Sequence, residues 1–223
     1  MKILEGELKS LKQEITAMFL LVQSQMEKVN AALIKFDKDL AREIISTEKR
    51  VNAQELNIDR ECENIFSLYQ PVAIDLRLVL AILKINNNLE RVGDIAEGIA
   101  KFVVEANNPF HKDLLEKTGI IKMFEEVLLM VDLIETAFTN EDTALARSMF
   151  VRDEVLNNIN MQAVKNVADY IKQYPDNVEE ALFAVSIVRK LERVGDQITN
   201  IAEEIIFSVE AKVLKHSKKK QKQ

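Results

Sequence analysis

The chain has 223 residues, of which 48% are hydrophobic and 30% charged, a balance that allows a sizeable core and excludes disorder throughout. A net charge of −6 excludes the overall basic footprint of a nucleic-acid binder, and one cysteine, Cys62, excludes an internal disulfide framework. With 5 glycines and 3 prolines the sequence predicts long helices rather than many short strands, and no apolar run reaches the roughly 18 residues of a membrane span. Residues 1–12 mix charged and apolar side chains and do not read as a targeting peptide, so a cytoplasmic protein is expected.

The first predicted helix covers about 7–36. Leu8, Leu11, Ile15, Met18, Val22, Met26, Val29 and Leu33 recur at three and four residues, the seam of a long helix. Asp37 or Asp39 caps a second helix over about 37–68, which carries Leu40, Ile44, Val51, Ile58, Cys62 and Ile65. Cys62 falls on the apolar side and reads as a structural thiol. Tyr69-Gln70-Pro71 marks the next turn, with Pro71 expected in the first turn of a third helix over about 71–104. That helix carries a stripe of Ile82, Ile85, Leu89, Val92, Ala96, Ile99 and Val103. Asn107-Asn108-Pro109 ends the unit.

The plan then repeats. A fourth helix is expected over about 114–138, a fifth over about 143–174 and a sixth over about 178–214. The sixth carries Ala184, Ile187, Leu191, Val194, Ile198, Ile201 and Ile205, each 102 positions after a member of the earlier stripe. Leu89-Glu90-Arg91-Val92-Gly93-Asp94 itself returns unchanged as Leu191 to Asp196. The expectation is an all-α protein built as two tandem three-helix bundles by internal duplication. One bundle spans 1–107, the second 108–214, and a disordered Lys-rich tail 215–223.

Each hexapeptide places two carboxylates about 40° apart on one helical face. In the third helix they extend into a ribbon of Glu90, Asp94, Glu97 and Lys101; in the sixth the ribbon is Glu192, Asp196, Thr199 and Glu203. The second helix offers Glu48, Asn52, Glu55 and Asp59 at the same spacing, and the fifth offers Asp153, Asn157 and Asn160. If these ribbons face each other, one unit gathers about five acids and its copy fewer. Close carboxylates need raised pKa values, arginine partners or bound cations, and their oxygens suit hard divalent ions and iron. The alternative is a solvated helix face. Arg91 and Arg193 are expected to pair with neighbouring acids. Gly93 and Gly98 weaken the helix by roughly 1 kcal/mol each and need a local reason, such as a close backbone or an ion. His111 and His216 cannot complete a Glu-x-x-His di-iron site. No nucleophile elbow, P-loop or dinucleotide loop is present. No basic, serine-rich or glycine-rich cradle suits phosphate, so no phosphate site is expected.

Tyr69-Gln70-Pro71-Val72-Ala73-Ile74-Asp75-Leu76-Arg77, Lys84-Ile85 and the paired hexapeptides closely resemble the PhoU family over about residues 8–207. The resemblance implies a non-enzymatic, often dimeric, negative regulator of phosphate uptake and phosphate-starvation signalling. Its implied partners are the phosphate ABC transporter ATPase and a sensor histidine kinase, so that it meets the membrane only through them. It also implies iron or zinc, with magnesium or manganese as further options, singly or in clusters, on Glu90, Asp94, Glu192 and Asp196. Glu48, Asn52, Asp153 and Asn157 are the implied neighbours from adjacent helices. The second half lacks the Tyr-Gln-Pro signature and is less acidic, so its site is expected to be the weaker. A metal-cluster phosphohydrolase and a plain helical scaffold are the competing readings.

Overall fold

A computed structural model describes residues 2–212, and the expected tail, 215–223, lies outside the described residues. Within them the chain is helical without strands: α1 (Lys2–Lys35), α2 (Lys38–Tyr69), α3 (Ala73–Glu105), α4 (Lys112–Thr118), α5 (Ile120–Thr139), α6 (Thr143–Gln173) and α7 (Val178–Glu210). The Tyr174-Pro175-Asp176 turn becomes a single 3-10 turn, Pro175–Asn177. No helix among the described residues is long and apolar enough to cross a membrane.

The helix starts follow elementary capping. Asp37 accepts from the backbone N–H of Asp39 and Leu40 and opens α2; Asp142 does the same for Ala144 and Leu145 and opens α6. Two expectations need correction. Pro71 is not in the first turn of α3. It lies between Gln70 and Ala73, both at positive φ (46° and 47°), and the helix begins after that reversal. The expected fourth helix is also broken. Gly119 takes φ 76° as the C-cap of α4, which the chain can adopt there because glycine has no Cβ, and α5 restarts at Ile120.

Helices α1, α2 and α3 pack together, as do α5, α6 and α7, and each predicted stripe is buried save for Leu40, which is half-buried. The two sets are not separate cores. α3 lies against α7 and α1 against α5, and the buried side chains form one connected cluster through both repeats. The α3–α7 seam is antiparallel. Lys84 Nζ meets the buried Glu204 carboxylate at 2.9 Å near one end, and the Phe102 and Phe183 rings stack at 5.1 Å near the other. This pairing sets the two hexapeptides back to back across the middle of the molecule.

Candidate functional site: two acidic ribbons on duplicated helices

In the first repeat α2 runs beside α3 and turns Glu48 and Glu55 toward Glu90, Asp94 and Glu97. Glu48 is buried, with 7% of its surface exposed. One of its oxygens accepts from Asn52 Nδ2 at 2.6 Å, and the other, Oε1, is buried with no hydrogen-bond partner. Burial raises the Glu48 pKa first, and the charges of Asp94 and Glu97 raise it further. Glu55 is raised by burial and then by Asp59 and Asp94. Glu90 is pushed up to about 7, first by burial and then by Asp94, Glu55 and Glu48, with Arg91 working in the opposite direction. At neutral pH this carboxyl is therefore divided between its protonated and ionised forms.

Cations partly balance the ribbon. Lys101 Nζ holds Glu97 at 2.6 Å one helical turn away. Lys190 arrives from the second repeat. Its ammonium lies where a Cβ on residue 98 would stand, and 5.8 Å from the centre of the Phe102 ring. Gly98 thus has its local reason, an incoming lysine from α7. Burial lowers the Lys190 pKa, and Arg193 and Lys101 lower it further, against the pull of Asp94 and Glu97.

The second repeat places Glu192 near Asp196 and Asp153. Burial and those two charges raise the Glu192 pKa, while Arg193 and a hydrogen bond with Asn160 lower it. Asp153 is buried and accepts from Asn157 Nδ2 at 3.0 Å. Thr199 is drawn out of the expected ribbon: it is buried, and its hydroxyl donates to the Asp196 carbonyl.

The structure thus brings together Glu48, Asn52, Glu90 and Asp94 in one ribbon and Asp153, Asn157, Glu192 and Asp196 in the other. Asp94 and Asp196 are exposed at the outer edge of each. The glycines of the two motifs serve helix contact. A Cβ on Gly93 would stand 3.0 Å from Val51 Cγ1, and one on Gly195 would stand 2.6 Å from both Asp153 Oδ1 and Leu156 Cδ1. Arg91 and Arg193 act on the acids only at longer range; among the described residues neither guanidinium is within ion-pair distance of a carboxylate. Cys62 is fully buried and its thiol is pushed up to about 12, chiefly by burial, which keeps it protonated and inert. Sequence reasoning missed Lys190 and Asn86. The fully buried Asn86 donates to the Glu55 carbonyl and to Asp59 Oδ1, both at 2.9 Å. Nothing local marked Lys190, because its target lies in the other repeat.

Oxygen donors in this density, with an unpartnered buried carboxylate oxygen, fit a hard cation in the first repeat. Among the described residues, however, no three His, Cys, Asp or Glu side chains converge as a ready-made metal site.

A duplicated three-helix unit joined through a common core, with an acidic ribbon on each copy, defines a tandem-repeat helical-bundle protein. A family model for the PhoU domain matches it twice, at residues 15–103 and 120–205. The chain belongs to the PhoU family. It is 33% identical to a phosphate-specific transport system accessory protein PhoU homolog of Aquifex aeolicus, over 97% of each chain. It is 30% identical to the accessory protein PhoU of Escherichia coli, over 95% of this chain and 87% of that one. The crystal structure of PhoU from Pseudomonas aeruginosa superposes with a TM-score of 0.84 at 30% identity, covering 93% of this chain and 99% of that one. The phosphate transport system regulatory protein PhoU from Streptococcus pneumoniae gives the same TM-score at 27% identity, covering 95% and 99%.

Proposed function

We propose that this protein is a cytoplasmic, non-catalytic regulator of phosphate transport that restrains both uptake and phosphate-starvation signalling. The observation that carries the reading is the full-length match, in sequence and in fold, to proteins named as phosphate transport accessory or regulatory proteins. Its partners are the transporter ATPase and a sensor histidine kinase, and it acts as a homodimer of chains with two units, 1–107 and 108–214. The names of these relatives as accessory proteins support a non-catalytic role.

We further propose that the acidic ribbons hold metal ions, iron or zinc foremost. Glu48, Asn52, Glu90 and Asp94 would hold the first ion, and Asp153, Asn157, Glu192 and Asp196 the second, less strongly. A bound cation would supply positive charge that lets Glu90 and Glu48 ionise together. The buried, unpartnered Glu48 Oε1 supports this reading for the first ribbon.

The test is deletion of the gene, with alkaline phosphatase measured in high phosphate and capture of the transporter ATPase by the purified protein. Loss of repression and a stable ATPase complex are expected. Unchanged repression would sink the regulatory reading.

A further inference from the structure

We propose that the groove on the open side of the α3–α7 seam binds a small phosphoryl oxyanion through Arg91, Lys190 and Arg193. The groove encloses about 470 Å³, a size suited to a small ligand. Those three cations border it together with Lys101, Gly98 and Phe102. Asp94, Glu97 and Glu105 share its rim, so four cations stand against three acids in a chain whose net charge is −6. Lys101 is already committed to Glu97 at 2.6 Å. That leaves two guanidinium groups and one ammonium facing the groove.

The arrangement is built rather than scattered. Arg91 and Arg193 occupy the same position of the duplicated hexapeptide, and antiparallel packing of α3 on α7 brings both to one groove. A single repeat would hold only part of the cation set, Arg91 on α3 or Lys190 and Arg193 on α7. Neither guanidinium has an ion-pair partner among the described residues. Lys190 is partly buried, seated on Gly98 beside the Phe102 ring. Guanidinium forks present paired N–H donors that match the oxygens of a phosphoryl group. The sequence shows no phosphate cradle because Arg91 lies 102 positions before Arg193, and the two meet only in the folded pair of repeats. The proposal does not rest on the transporter assignment, since it is read on the isolated chain.

The test is titration calorimetry on the full chain, stripped of metal by a chelator, with orthophosphate, ATP and succinate in turn. Expected is millimolar or tighter binding of orthophosphate or ATP. Arg91→Gln and Arg193→Gln should each weaken it by about tenfold, the loss of one charge-assisted contact. The exposed Lys122→Gln on α5 should leave it unchanged. Equal affinity for the two ligands assigns the site to a free phosphoryl group, and tighter ATP assigns it to a nucleotide's phosphates. Arg91→Lys and Arg193→Lys keep the charge but lose the fork, and should weaken binding severalfold even if the glutamine variants fail to fold. Absence of binding at millimolar ligand, succinate binding as tightly as orthophosphate, or lysine variants that bind like the parent would overturn the proposal.

Discussion

Gly93 in the first repeat faces the side chain of Val51, whereas its copy Gly195 faces Asp153 and Leu156. Glu90 shares its surroundings with Glu48, Glu55 and Asp94, and its pKa is pushed up to about 7. Its copy Glu192 is raised by burial, Asp196 and Asp153, and Arg193 and Asn160 stand against them. The first ribbon also draws a lysine from the other repeat, while the structurally opposite place, Asn88, meets Asn200 through their amides at 3.4 Å. Six identical residues therefore do not make two identical sites. The hexapeptide fixes one wall, and the neighbouring helix, α2 or α6, decides charge density, burial and room.

The largest expected difference is in metal content. Elemental analysis of the purified protein should show that Glu90→Ala/Asp94→Ala removes the greater share of bound metal and Glu192→Ala/Asp196→Ala the smaller. Equal losses would mean that α2 and α6 do not discriminate the ribbons. Metal absent from the unmutated protein, after purification without chelator, would remove the cation reading altogether.

Next comes the cost of a methyl group at each motif glycine. Replacing glycine by alanine within a helix gains roughly 1 kcal/mol of propensity. At Gly195 the new Cβ would collide with a buried carboxylate and a leucine methyl at once. Gly195→Ala should destabilise by about 1–3 kcal/mol net. At Gly93 the contact is with one valine methyl at 3.0 Å, which a small helix shift relieves. Gly93→Ala should stay within about 1 kcal/mol of the parent. Urea unfolding of both variants measures the pair, and equal effects would erase the packing contrast.

These contrasts also mark what the sequence could reveal. The stripes, the turn positions and the duplication were legible because each is written in local spacing. The facing of Glu48 toward Glu90 was legible too, since two ribbons at helical pitch on neighbouring helices have few ways to meet. The Gly119 break was missed although its signal is local, a lysine and a threonine followed by a glycine, where a C-cap fits. Lys190 on Gly98, the shared core and the meeting of Arg91 with Arg193 at one groove depend on how α3 lies on α7. That packing couples residues about a hundred positions apart, and no periodicity in either helix encodes it.

The acid load of the first ribbon makes a pH prediction for the metal-free protein. Glu90 titrates near its ordinary value of about 4.3 when unfolded and at about 7 when folded. A raised folded pKa means that the native state holds its proton more tightly. The associated stability is fully present below the unfolded pKa and is lost as pH rises through about 7. Glu90→Gln, which stays neutral, should be the more stable protein at pH 8 by about 1–2 kcal/mol, a range reduced for partial exposure. It should show no advantage at pH 4. Glu192→Gln should gain less. Thermal melts across this range decide it, and a Glu192→Gln gain as large as that of Glu90→Gln would break the asymmetry.

The smallest effect tests whether the first repeat's extra polar core is needed. Asn86 is fully buried where the second repeat has Val188, also fully buried. Its amide donates twice, to the Glu55 carbonyl and to Asp59, but its own oxygen has no partner. Asn86→Val would lose both bonds, each worth about 1 kcal/mol net and more for the carboxylate. It would also remove a buried orphan acceptor, which costs about 1–3 kcal/mol while present, and add apolar contact. Asp59 is only partly buried and can turn to water once released. These terms oppose each other, so Asn86→Val should lie within about 1 kcal/mol of the parent in urea unfolding. A loss above about 3 kcal/mol would show that the buried amide holds α2 against α3, and that the two bundles differ in how they are fastened as well as in charge.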